Sequence, residues 1–336
     1  MLNFKERGVI KINIILRTEK PEDYNQIANL NYDAFNEWHP NSYKAEPLLV
    51  SILRHSQYFD KELSIVAKLD GKIVGHALFS IFPFVIMKEK RMGAILAPIC
   101  VDTKLQKEGI GRMLIEEGHK RLHDKGVSMA LLCGHENYYP KFGYLHKMFA
   151  LAGAKASIDA EKINTEGITE RSIKSSDLDF ITRHWHNIHK DDRLALYPGD
   201  TISQWFNHSL IYRSSMIYKD NTLLGYIRYR NTYPLEIKEL LATEDNAEKI
   251  IAYIMKENLK SLKGDVILSL SLENTLKILK NNENIKIEEK ITASNAFMMK
   301  VIDKNDKVLE RYTKEAKSDN NSLGIISFPP MLEIDD

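Results

Sequence analysis

Gln106-Lys107-Glu108-Gly109-Ile110-Gly111-Arg112 joins an apolar, strand-like run to a helix-like one. The run before it is Gly93-Ala94-Ile95-Leu96-Ala97-Pro98-Ile99-Cys100-Val101. After it comes a helix-like run over residues 112–123, with Ile110, Met113, Leu114 and Leu122 near one face. A Gly-rich turn between strand and helix presents backbone N–H groups at the positive end of the helix dipole, an arrangement that holds a phosphate or pyrophosphate. Glycines at 109 and 111 let the main chain approach an anion with no Cβ in the way.

The turn is too short for a Walker A loop and lacks the third glycine of the dinucleotide fingerprint. Its pattern, Gln/Arg-x-x-Gly-x-Gly/Ala after a strand, resembles the acyl-CoA loop of the GNAT superfamily of N-acyltransferases. A second stretch strengthens the resemblance. Leu131-Leu132-Cys133-Gly134-His135-Glu136-Asn137-Tyr138-Tyr139-Pro140-Lys141-Phe142-Gly143-Tyr144 is similar to the strand and Tyr-Tyr-x-x-Phe-Gly-Phe segment of one GNAT branch. Upstream, residues 64–80 read as two strands around an Asp70-Gly71 hairpin turn, which precedes the cofactor strand in that family. The three segments stand in the family's order.

The chain has 336 residues, 43% of them hydrophobic, enough for two domains of ordinary size. A net charge of +1, with no basic stripe interleaved with aromatics, argues against nucleic acid as a partner. No apolar run approaches the ~20 residues that span a membrane. Residues 1–7 lack the apolar stretch of a secretory signal, so a cytoplasmic protein is expected. Cys100 and Cys133 both fall in runs expected to be buried strands and read as core residues in a reducing compartment.

Beyond residue 160 the grammar repeats. Residues 168–173 read as a strand, Ser176-Asp177 as a helix start, and residues 216–229 as a hairpin around Asp220-Asn221. Residues 235–242, 247–262 and 265–272 come next as strand, helix and strand. The expected fold class is α/β (α+β by some schemes): two tandem GNAT-like lobes, each a mixed, mostly antiparallel sheet flanked by helices. The first lobe is expected over residues 1–160, closed by strands from residues 145–158. A second is expected over 161–305, after a polar linker at 159–167 and with a terminal strand at 296–302. Residues 306–336 are left unassigned. The second lobe's turn, Thr243-Glu244-Asp245-Asn246-Ala247, has no glycine and carries two carboxylates that would repel a pyrophosphate. Residues 273–279 carry no tyrosine, and this lobe reads as degenerate.

The resemblance implies acetyl-CoA as co-substrate and direct attack by a primary amine in a ternary complex. Backbone groups of Lys107, Glu108, Gly109, Ile110, Gly111 and Arg112 would hold the pyrophosphate, and Gln106 matches the first motif position. Ile99, Cys100 and Val101 would meet the pantetheine arm and polarise the thioester carbonyl. Tyr139, four residues before Gly143, matches the catalytic tyrosine; a phenol stays protonated at neutral pH and can donate to the departing sulfur. The base stays open among Asp102, Glu37, His39 and a water chain.

No metal is expected. His135-Glu136 lacks a second histidine at i+4, and of His184, His186 and His189 only the last two share a helical face. The acceptor, a small-molecule or peptide amine, is not specified, and monomer and homodimer both remain open. An acyl-CoA sensor without turnover, or an interaction platform, would carry the same motifs.

Overall fold

A computed structural model describes residues 13–38, 45–243, 245–280, 283–319 and 322–333. The chain divides into two compact units. One takes in the described residues up to Ser80 together with Ile95–Lys125; the other takes in Ile81–Ala94 and the described residues from Gly126 onward.

The first unit holds β1 (Ile15–Thr18), α1 (Tyr24–Trp38), α2 (Glu46–Arg54), β2 (Ser64–Leu69), most of β3 (Lys72–Ile86), the later half of β4 (Glu89–Val101) and α3 (Ile110–Asp124). Its strands lie in the order β1-β2-β3-β4. Asp70 and Gly71, at φ 48° and 84°, form the two-residue turn that fixes the β2–β3 register from Leu69↔Lys72 to Ser64↔Leu78. Helix α3 lies close on this sheet because Gly75 has no side chain. A Cβ there would stand 3.0 Å from both Ile110 Cγ2 and Leu114 Cδ1.

A polar cluster is buried in this unit. His76 is fully buried, with Asn31 Nδ2 3.3 Å from its Nδ1 and Ser64 Oγ 3.0 Å from its Nε2. Glu19 stands 3.9 Å from the ring and takes two bonds of 2.8 Å from Arg54, which lies over the Tyr24 ring.

The second unit begins with the distal ends of β3 and β4. It continues through β5 (Met129–Cys133), β6 (Ala154–Asp159), β7 (Ile168–Ser172), α4 (Leu178–His189), β8 (Leu194–Leu196), β9 (Tyr212–Lys219), β10 (Thr222–Arg230) and β11 (Leu235–Ala242). The remaining elements are α5 (Ala247–Glu257), β12 (Lys263–Leu268), α6 (Leu272–Ile278), β13 (Ile285–Glu289), β14 (Phe297–Val301) and α7 (Lys307–Ser318). Seven strands form one sheet in the order β13-β6-β12-β11-β10-β9-β7, parallel at β11–β12 and otherwise antiparallel. Its core includes Ile227, Tyr229, Ile237, Ile250 and Val266.

The repeat is visible in side-chain detail. Arg17 grips Asp23 through two bonds of 2.6 and 2.8 Å, and Arg171 grips Asp177 through two of 2.8 Å. In both, the carboxylate also accepts from the lysine backbone three residues earlier, Lys20 or Lys174. Further on, Asp102 N–H donates to Val74 O and Thr243 N–H to Leu224 O, each acceptor just before a glycine, Gly75 or Gly225, that lets a helix close on the sheet.

Strand placement departs from the sequence reading at one point. β6, expected to close the first lobe, pairs with β12 and β13 in the seven-strand sheet, while β14 pairs with β5 from Phe297↔Cys133 to Val301↔Met129. β6 alternates apolar and polar residues while β14 is apolar at four of its five positions, and neither pattern names a partner strand. The expected linker also proves partly structural, since Ala160 and Ile163 are buried. Cys133 is exposed where β5 ends, whereas Cys100 is buried.

The late segment has a place in the second unit. Asp306 caps α7 by accepting from Val308 and Leu309 and pairs with Arg91 at 2.6 Å. Tyr312 O–H donates to Met148 O at 2.6 Å, and Ile325 bridges Ala150. Glu333 pairs with buried Arg228 at 2.5 Å. Among the described residues, no helix is long and apolar enough to cross a membrane.

Two buried histidines set opposite pH limits on stability. Desolvation lowers the His76 pKa to about 4 from an ordinary 6.5, with Glu19 opposing and Arg54 assisting. Because the unfolded chain protonates first, this contribution is complete above about pH 6.5 and is lost as pH falls towards 4. His189 lies between Asp192 at 2.7 Å and Glu239 at 3.2 Å. Desolvation is the largest influence on it and acts downward, but the two carboxylates together outweigh it and raise the pKa to about 10. That contribution is complete below about pH 6.5 and is lost as pH rises towards 10. Urea unfolding at pH 5, 6.5 and 9.5 is therefore expected to show the highest midpoint at the middle value. His189→Gln should flatten the alkaline decline, and an unchanged alkaline slope would contradict the assignment.

Candidate active site

The loop after β4 is built from backbone conformation. Lys107 and Gly109 take positive φ of 69° and 85°, and Gly109 caps α3 without a side-chain bond. A Cβ on Gly109 would meet nothing within 4 Å, so the left-handed conformation, not crowding, calls for glycine there. The first i→i−4 bond of the helix runs from Met113 N–H to Gly109 O at 3.1 Å. The amides of Ile110, Gly111 and Arg112 precede it, at the positive end of a 15-residue helix.

Residues 106–109 are exposed and Ile110 is buried, so an open loop stands on a fixed helix. Gln106 Nε2 reaches Val101 O at 3.5 Å, a long contact. Arg112 pairs along the helix with Glu116 at 2.8 Å, both ends largely exposed, which makes it a weak surface pair.

Along β4, Ile99 and Val101 are half-buried and Cys100 is buried. Burial raises the Cys100 thiol, the His76 backbone N–H opposes this, and the charge of Glu46 adds to the rise. The thiol is thus held protonated and is a poor nucleophile. Asp102 is occupied as a cap, its carboxylate accepting from Lys104 N–H at 2.9 Å. Glu37 is exposed, and His39 lies outside the described residues.

Sequence reasoning missed Glu46. It opens α2, its Oε2 is buried, and its charge reaches Cys100. The signal available was an acidic residue before Pro47 at a helix start, which reads as ordinary dipole matching.

Tyr139 belongs to the second unit, in the four-residue turn Tyr139–Phe142. Its ring meets Tyr138 and Tyr144 edge-on, at 5.2 and 5.9 Å between centroids. Burial, with Tyr138 beside it, pushes the phenol up and keeps it protonated. Tyr138 packs on Phe142 at 5.1 Å. β14 carries this turn: Gly134 N–H donates to Ala296 O, Leu145 and Met299 exchange backbone bonds, and Met148 N–H donates to Phe297 O. Gly134 is a contact requirement, because a Cβ there would stand 2.4 Å from Tyr139 Cε2.

The second-lobe turn is shorter. Helix α3 begins eight residues beyond Asp102, whereas α5 begins four beyond Thr243. Asp245 takes a positive φ of 56° and pairs with Lys280 at 2.9 Å; Glu244 lies outside the described residues. Residues 273–278 lie in α6. His184 stacks on Phe180, and His189 is held by the two carboxylates. Among the described residues, no three His, Cys, Asp or Glu side chains are grouped to hold a metal.

Gly134→Ala should force the Tyr139 ring aside and destabilise the protein by about 1–3 kcal/mol in denaturant unfolding, as overpacking does. Unchanged stability would mean that the ring does not lie against Gly134.

Comparison with known proteins agrees with this geometry. The model of the acetyltransferase (GNAT) family matches residues 25–144. The N-acetyltransferase YjhQ of Escherichia coli K12 is 33% identical over 102 residues, 30% of this chain and 56% of that protein, so the match spans little more than half of it. The N-acetyltransferase YhbS of the same strain is 30% identical over 132 residues, 39% of this chain and 73% of YhbS. In fold, 87% of the chain matches 72% of a GCN5-related N-acetyltransferase from Kribbella flavida, with a TM-score of 0.62 at 13% identity. With its glycine-capped helix, its tyrosine turn and these likenesses, the chain belongs to the GNAT family of acetyltransferases.

Proposed function

We propose that the protein transfers an acetyl group from acetyl-CoA to a primary amine by direct attack in a ternary complex. The observation that carries this reading is the open, Gly109-capped start of α3 directly after β4. The residues suit the co-substrate. Amides of Lys107, Glu108, Gly109, Ile110, Gly111 and Arg112 hold a pyrophosphate without side-chain obstruction, and Gln106 stands at the start of the loop. Bound acetyl-CoA supplies the acyl carbon and the thiolate leaving group.

Backbone groups of Ile99, Cys100 and Val101 orient the pantetheine arm, and an N–H among them polarises the carbonyl. The amine nitrogen bonds to the carbonyl carbon as the carbon–sulfur bond breaks. Tyr139 donates its phenolic proton to the sulfur and regains one from solvent. Glu46, which opens α2 with its Oε2 buried, takes the proton that the amine loses. Residues 1–160 supply these groups in this reading. Residues 161–305 form a lobe whose short turn, with Asp245 in it, disfavours a second pyrophosphate. We place the enzyme in the cytoplasm, as a monomer or homodimer, with a small-molecule or peptide amine as acceptor.

Release of CoA thiol across a panel of small amines and peptides tests the proposal. Tyr139→Phe should lower kcat about a hundredfold, the range of general-acid contributions, and leave acetyl-CoA affinity unchanged. Full turnover by this variant would overturn the role of Tyr139. Glu46→Gln should lower kcat by a similar factor at neutral pH and less at high pH, where more amine is already neutral; equal activity at neutral pH would remove Glu46 from the chemistry.

A further inference from the structure

Lys300 is the fourth residue of β14, in register opposite Ala130 of β5. Its Nζ donates to the carbonyl of Phe142, the last residue of the tyrosine turn. Gly143 comes next at φ 85°, and a Cβ built there would stand 3.1 Å from Lys300 Nζ. The ammonium therefore lies close beside position 143, where a side chain would press on it.

A four-residue turn makes few bonds of its own for the dihedrals it fixes; here Gly143 N–H donates to Pro140 O at 3.0 Å and Lys141 N–H to Tyr138 O at 3.3 Å. Its last carbonyls also carry partial negative charge without a partner within the turn. β14 fixes the chain on both sides through Ala296 to Gly134 and Met299 to Leu145, but those bonds lie outside the turn. The contact of Lys300 with Phe142 lies at the end of the turn, three residues beyond Tyr139.

We propose that Lys300 is a positioning residue for Tyr139, its ammonium on the Phe142 carbonyl closing the turn and so fixing the direction of the phenol. The kinetic consequence rests on the acetyl-transfer reading above; the structural consequence does not.

The test uses the full-length chain with Lys300→Met, Lys300→Arg and Gly143→Ala. Kinetics with acetyl-CoA and an accepted amine are paired with hydrogen exchange over residues 134–148. Lys300→Met is expected to lower kcat about tenfold, as sub-ångström misplacement of a reacting group does, with acetyl-CoA KM and Kd unchanged. Amides of residues 139–145 should exchange faster in the same variant. Lys300→Arg, which still donates to the carbonyl, should restore most of kcat and of the protection. Gly143→Ala, which strains the φ of 85° as well as pressing on the ammonium, should also speed exchange of residues 139–145.

Unchanged kcat and unchanged exchange in Lys300→Met would overturn the proposal. So would exchange that rises across the whole unit while acetyl-CoA affinity falls with kcat. If the parent turns over no amine, the transfer reading fails by itself and the exchange arm still decides whether Lys300 holds the turn.

Discussion

One backbone conformation fixes how the loop after β4 opens: the left-handed Gly109 at the start of α3. It lets β4 reach the helix through an exposed loop, so that three amides precede the first helical bond. Everything needed to place that turn is packing. Gly75 admits Ile110 and Leu114 against the sheet, and Asp102 ties the strand end to Val74 and caps the short turn after it. A side chain at Gly109 would not clash, but it would strain the φ that opens the loop.

The second lobe keeps the packing without the loop. Gly225, the Thr243–Leu224 bond and the Arg171–Asp177 grip reproduce the framework of Gly75, Asp102 and Arg17–Asp23. Between the anchor and the helix, however, three residues stand in place of seven, and one of them is an aspartate paired with Lys280. The framework is a property of the fold. Anion binding depends on loop length, glycine and the absence of like charge, and the two turns differ in these while sharing the framework.

Much of this was legible in the sequence, because turn chemistry and apolar runs are local signals. The Asp70-Gly71 hairpin, the strand–turn–helix at 93–123 and the repeat of element order all rest on residues a few positions apart. Strand partners were not legible. β6 and β14 are both short runs, one alternating and one mostly apolar, and which sheet each joins is decided by packing far along the chain, with Phe297 stacking on Phe149 and Tyr312 holding Met148. Glu46 and Lys300 were missed for the same reason. Each is an ordinary charge in sequence and matters only through its neighbour in space, Cys100 in one case and the Phe142 carbonyl in the other.

The central claim, that the turn at residues 106–112 is the chain's one acyl-CoA site, is tested most directly by calorimetric titration of acetyl-CoA into the intact protein and into Gly111→Glu. The account predicts one site per chain in the parent and none in the variant, where a carboxylate would stand among the helix-start amides. A parent that binds two would point to the second lobe's shortened turn, and a variant that still binds one would show that the turn at 106–112 is not required; either would contradict the account.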